Sequence, residues 1–223
     1  MRRLFLILLL VAASATAVHA HPEHGASQPG DSPATATTAT TAATDARQRA
    51  SRLFFSDRKL ITQDNQTVAF YSDVLRDRVV LINFIFTQCT DACPTQTARL
   101  VEVQSLLPDL IGHGASFVSI SVDPEHDTPS MLREYAARFG VGDGWSFLTG
   151  AKVDVDDVLR RLRQLVPTRE AHTTLFLLGN AKTGHWIKVH PDAAPEEIAR
   201  QMRLLAAETT NTMQPHPPPG GAK

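Results

Sequence analysis

Residues 79–86, VVLINFIF, form a nearly continuous apolar run that gives way at once to a polar loop carrying both cysteines of the chain. A short run rich in Val, Ile and Phe, with Asn83 as its only polar residue, reads as a strand buried on both faces. A strand covered on both faces needs other layers above and below it. That requirement points to an α/β domain with a central sheet.

The flanking pattern fits. Residues 87–93 are polar, and Pro94 suits the first turn of a helix whose apolar positions are Leu100, Val103, Leu107 and Leu110. The reading is a helix over about 94–107. Residues 116–122, SFVSISV, read as a second buried strand, so strand, helix and strand form a parallel crossover unit. Thr128 followed by Pro129 opens another helix, striped by Leu132, Tyr135, Ala136 and Phe139 and ended by Gly140. Residues 145–149 read as a short strand, and Val155, Val158, Leu159 and Leu162 mark a further helix. Residues 173–178, TTLFLL, and 186–189 form a hairpin across a turn at 179–184. Pro195 opens the last helix, with Ile198, Met202 and Leu205 inward, and 59–70 reads as a hairpin around Asp64 and Asn65. The expectation is a mixed central sheet flanked by helices, with an N-terminal hairpin.

Outside this region the composition changes. Residues 1–20 begin with Arg2 and Arg3, continue in an apolar run and end Val18-His19-Ala20, the order of a cleaved secretory signal. An uncleaved anchor is the alternative, but a spanning helix wants about 20 apolar residues. Residues 21–50, rich in Ala and Thr, and 209–223, rich in Pro, lack apolar periodicity and read as disordered linker and tail around one domain at 51–208. An exported, periplasmic location follows as the expectation. The chain has 22 basic and 23 acidic residues, and loss of Arg2 and Arg3 with the leader leaves 20 basic ones. That balance argues against nucleic-acid binding and against a polybasic membrane surface. Contact with a membrane is expected only through a partner.

Cys89 and Cys93 are the two cysteines. A disulfide closing so small a loop stabilises little, so the spacing favours chemistry over stapling. At a strand-to-helix junction, the unpaired N–H groups and the helix dipole favour thiolates, lowering a cysteine's pKa into roughly 3.5–7.5. Two soft thiolates about one turn apart make a partial cage for Cu(I), with Cu(II) as the alternative state. Cys89 has to sit in the loop before the helix if the pair is also to form a reversible disulfide, because regular helical neighbours stand too far apart.

Residues 83–94, NFIFTQCTDACP, resemble the copper-site motif of the Sco/SenC family. Further resemblance follows in order at 119–129, SISVDPEHDTP, at 148–150, LTG, and at 172–174, HTT. The resemblance implies a thioredoxin-like fold and a copper metallochaperone that serves the copper A centre of cytochrome c oxidase. It also implies a ligand set of two Cys and one His: here Cys89, Cys93 and His172. In thioredoxin-like proteins the residue entering the equivalent strand packs beside the thiols, and imidazole is a competent copper ligand. The chain departs from the family pattern at Thr90, where Pro is usual, and at Ala171, where Asp is usual; neither is a ligand. Asp91 matches an acidic position and is read either as a residue that hydrogen-bonds the partner or sets thiol reactivity, or as a loop cap. Asp123 and Asp127 are read as turn and helix-cap residues. His21, His24 and His216 fall in the flanking segments and are read as solvated tail residues.

Two functions compete. One is copper delivery to the copper A subunit or another periplasmic copper protein, without turnover in the usual sense. The other is a thiol–disulfide oxidoreductase with Cys89 and Cys93 as its redox-active pair. His172 favours the first, since a pure dithiol reductase keeps Pro at that place.

Overall fold

The computed structural model describes residues 46, 49–171 and 174–208. The expected leader, the expected linker up to residue 45 and the expected tail at 209–223 lie outside the described residues, as do His21, His24, His216 and His172.

Among the described residues, seven strands build one mixed sheet: β1 (Lys59–Thr62), β2 (Thr67–Ala69), β3 (Val79–Ile85), β4 (Ala115–Ser121), β5 (Trp145–Thr149), β6 (Phe176–Asn180) and β7 (His185–Val189). The order across the sheet is β2-β1-β5-β4-β3-β6-β7. β3, β4 and β5 are parallel neighbours, while β1 lies antiparallel on β5 and β6 antiparallel on β3. Among the described residues, the helices α1 (Ala92–Ser105), α2 (Pro129–Arg138) and α3 (Lys152–Arg161) connect strands, and α4 (Pro195–Ala207) follows β7.

All seven residues of β3 are buried, as its apolar run requires. Its odd positions, Val79, Leu81 and Ile85, pack with Leu100 and Val103 of α1, Leu132 and Tyr135 of α2, and Ile198 and Met202 of α4. Its even positions, Val80, Ile82 and Phe84, pack with Val155, Val158 and Leu159 of α3. The strand period of two thus feeds two separate cores. The second core also takes in Phe70, Tyr71, Val74 and Leu75 of a wide helical turn (Phe70–Leu75), and Phe55 of a helical segment over 49–55. The apolar pattern of the wide turn is too short to distinguish from a loop in sequence.

Several boundaries move. α1 starts two residues before Pro94, which Pro tolerates because the first-turn amides have no intrahelical acceptor in any case. β6 starts at Phe176 rather than 173 and runs to Asn180, so the hairpin loop is only 181–184. Gly179 pairs with Trp186 in the ladder and the Trp186 ring lies over it: an added Cβ at Gly179 would stand 2.2 Å from Trp186 Cε3. Thr128 caps α2 by accepting the Met131 N–H at 3.3 Å, and Gly140, at φ 65°, ends it, both as expected.

Candidate metal centre

The site end of the sheet is set by the parallel strands. β3 and β4 both end there, their ladder closing at Ile85 opposite Ser121. β6 runs the other way, with Leu177 opposite Ile82, so the chain entering β6 arrives beside the exit of β3. Three connections therefore converge: the cysteine loop after β3, the 122–128 loop after β4, and the segment that enters β6.

Cys89 lies in the loop and is half-buried, whereas Cys93 is in the first turn of α1 and fully buried. Both are free thiols. The Cys89 N–H donates to the Phe86 carbonyl at 3.1 Å, which turns the chain back on leaving β3. Asp91 holds the N-cap position but its side chain makes no capping hydrogen bond. Asp91 is exposed, as is Thr90. Of the two readings of Asp91, the side-chain cap is therefore not realised.

The expected lowering of thiol pKa does not hold for Cys93. Burial, the largest influence, and the adjacent Cys89 sulfur push its thiol up to about 12, against a smaller lowering by the Phe86 backbone. Removing a thiolate from water outweighs the helix-end field here. Cys93 is thus a protonated thiol in the metal-free protein.

Behind the cysteines, Thr97 of α1 shares a 2.9 Å hydrogen bond with the Tyr135 hydroxyl of α2, both buried. Burial raises the Tyr135 phenol well above its ordinary range, and the neighbouring Cys93 and Cys89 add to that. The Tyr135 ring is therefore a neutral wall to the site.

The 122–128 loop ties the cysteine loop to the turn that precedes the entry to β6. Asp127 does not cap α2; its carboxylate accepts from the Thr87 hydroxyl at 2.6 Å and from the Ser121 hydroxyl at 2.6 Å. Asp123 does make the expected turn, its carbonyl accepting the Asp127 N–H at 2.9 Å. Its carboxylate also receives Arg169 and, at 2.7 Å, His126. Burial, the largest single influence on Asp123, works to raise its pKa, but His126 and Arg169 together hold it below the usual carboxylate range. The Arg169 guanidinium also sits 5.2 Å from the Phe86 ring centroid. Arg169 belongs to the helical turn Arg169–Ala171, the last described residues before His172. Thr87, Ser121, Arg169 and Tyr135 are neighbours of the candidate site that sequence reasoning missed. Residue type gave no signal for them, because each is brought to the site by contacts that only the folded chain makes.

Two thiols at one helix start form a soft donor pair suited to Cu(I). Among the described residues, no three His, Cys, Asp or Glu side chains converge as a metal set, and the third expected donor, His172, is outside them.

A half-exposed and a buried cysteine at the start of the first crossover helix, on a mixed sheet of this order, define a thioredoxin-like dithiol domain. A family profile described as SCO1/SenC matches residues 46–207, and the chain belongs to that family. The SCO1 protein homolog of Bacillus subtilis is 39% identical over 89 residues, covering 40% of this chain and 45% of that protein. The mitochondrial SCO1 homolog of Homo sapiens is 36% identical over 93 residues, 38% of this chain and 28% of that one. The chain thus spans less than half the length of these curated relatives. Among solved structures, Bradyrhizobium japonicum ScoI with copper bound superposes with a TM-score of 0.56 at 27% identity, over 67% of this chain and 98% of that one. BsSco, described as a member of the Sco family of cytochrome c oxidase assembly proteins and as carrying a disulfide switch, gives 0.59 at 25% identity, over 70% and 94%.

Proposed function

We propose that this chain is a copper metallochaperone that acts in cytochrome c oxidase assembly and delivers copper to the copper A centre. The observation that carries the reading is the convergence of Cys89 and Cys93 with the segment that enters β6, at one end of the sheet. The copper-loaded relative supports copper as the cargo. Cys89 and Cys93 would hold Cu(I) through sulfur, with His172 as the third ligand. The Arg169 contacts to Asp123 and Phe86 support that role, because they fix the turn just before His172 against the cysteine loop.

Binding releases the Cys93 proton, since that thiol is protonated in the metal-free protein. Exposure of Cys89 alone gives a partner's ligand one sulfur to approach first. The same asymmetry favours a second reading, a thiol–disulfide reductase acting on partner cysteines. The proposed location is the periplasm, reached through a cleaved 1–20 leader. Among the described residues no helix is long and apolar enough to cross a membrane.

The test is copper content of the reduced protein after exposure to Cu(I) and removal of excess. One copper per chain is expected for the unmodified protein, tight binding is lost in Cys89→Ala and Cys93→Ala, and His172→Ala weakens binding or changes its spectrum. Unchanged stoichiometry in both cysteine variants would overturn the site.

A further inference from the structure

We infer that Asp127 is a positioning residue for Cys89, acting through Thr87; the inference rests on reading Cys89 as a copper ligand. Asp127 is 1% exposed. A buried carboxylate is costly to desolvate, and helix capping does not account for it, because Thr128 caps α2. The contacts Asp127 does make all bear on one place. Its Oδ1 accepts from the Thr87 hydroxyl at 2.6 Å and the Thr87 N–H at 3.1 Å, across 40 residues of chain. Its Oδ2 accepts from the Ser121 hydroxyl at 2.6 Å.

The backbone ladder explains why this matters. β3 and β4 pair as far as Ile85 and Ser121, and the Val122 N–H donates to the Ile85 carbonyl at 2.8 Å. There the strands diverge into their loops. Asp127 takes over at that point, supplying to Thr87 the acceptor that a continued strand would have offered. The register of the sheet is carried to within two residues of Cys89. From Thr87 the order passes to Cys89 through its turn onto Phe86, and from Cys89 to Cys93 through the helix start. Loss of the Asp127 acceptor frees the Thr87 hydroxyl and amide, lets the loop fray and widens the spread of sulfur positions that copper must gather.

The experiment uses the full reduced chain, titrated with Cu(I) against a chromophoric competing chelator, with amide hydrogen exchange of the metal-free protein alongside. Thr87→Val is nearly isosteric and removes one donor; Asp127→Ala removes the acceptor; Thr87→Ser keeps the hydroxyl. We expect Thr87→Val and Asp127→Ala to weaken Cu(I) binding about tenfold or more, the scale of lost outer contacts to metal ligands. Amides of 88–92 should exchange faster while those of β3 and α2 do not. Thr87→Ser should bind close to the unmodified protein. If Asp127→Ala fails to fold, Thr87→Val alone decides. Unchanged affinity in Thr87→Val, lowered affinity with unchanged exchange at 88–92, or equal loss in Thr87→Ser overturns the inference. Cys89→Ala run in parallel separates the two failures. If it binds Cu(I) as tightly as the unmodified protein, the ligand reading itself has failed; if it loses binding while Thr87→Val does not, only the role of Asp127 has.

Discussion

The Cys89 sulfur accepts a hydrogen bond from the backbone N–H of Cys93, at 3.4 Å. One cysteine therefore occupies the acceptor place at the start of the helix that carries the other. Asp91, the formal N-cap residue, leaves that place empty. Sulfur is a weak acceptor, so the contact holds the pair together without locking it.

The two thiols should react in sequence. Cys89 is half-exposed, whereas Cys93 is buried with its thiol pushed up to about 12. Iodoacetamide at neutral pH should alkylate Cys89 alone in the native protein, and Cys93 only in denaturant. Mass spectrometry with peptide mapping reads the order; equal native rates would contradict the burial difference.

Copper should hold the pair reduced. Oxidation takes two electrons and two protons from the thiols to oxidised glutathione, which leaves as two reduced molecules. Cu(I) binds only the dithiol state, so the midpoint should move to more oxidising glutathione ratios when Cu(I) is present. Thiol trapping across a glutathione series measures it. An unmoved midpoint would favour the reductase reading over the chaperone.

Asp123 should contribute an acid limb to stability. Its folded pKa lies below the ordinary 3.8, the net result of burial opposed by His126 and Arg169. The unfolded state therefore takes up the proton first. The stabilisation is fully present above about pH 4–5 and is lost as pH falls through the folded value. Urea unfolding between pH 3 and 6 should show a shallower acid loss in Asp123→Asn than in the unmodified protein.

Gly179→Ala should destabilise the β6–β7 hairpin by about 1–3 kcal/mol, the range for overpacking. The new Cβ would meet the Trp186 ring at 2.2 Å, and that ring also packs 4.8 Å from Phe55. A lower urea midpoint and an altered Trp emission are the expected readouts, with copper binding unchanged because Gly179 pairs near the opposite end of β3.

Local chemistry made most of the fold legible. The run at 79–86 could be satisfied only by burial on both faces, and it became the central β3. Thr128 and Pro129 opened α2, and Gly140 closed it, because capping and positive φ are properties of a few adjacent residues. α1 starts two residues before Pro94 because Pro is compatible with any first-turn position.

For the site, the sequence by itself determined the dithiol: its spacing, its place at a helix start and, through ordered motifs, its family. Only the tertiary structure decided which thiol is exposed, that Cys93 stays protonated, and that Asp127 serves Thr87 instead of α2. The physical reason is common to all three. Desolvation and hydrogen bonding across 40 or more residues depend on which loops the parallel strands bring to one end of the sheet, and no local pattern in the chain encodes that meeting.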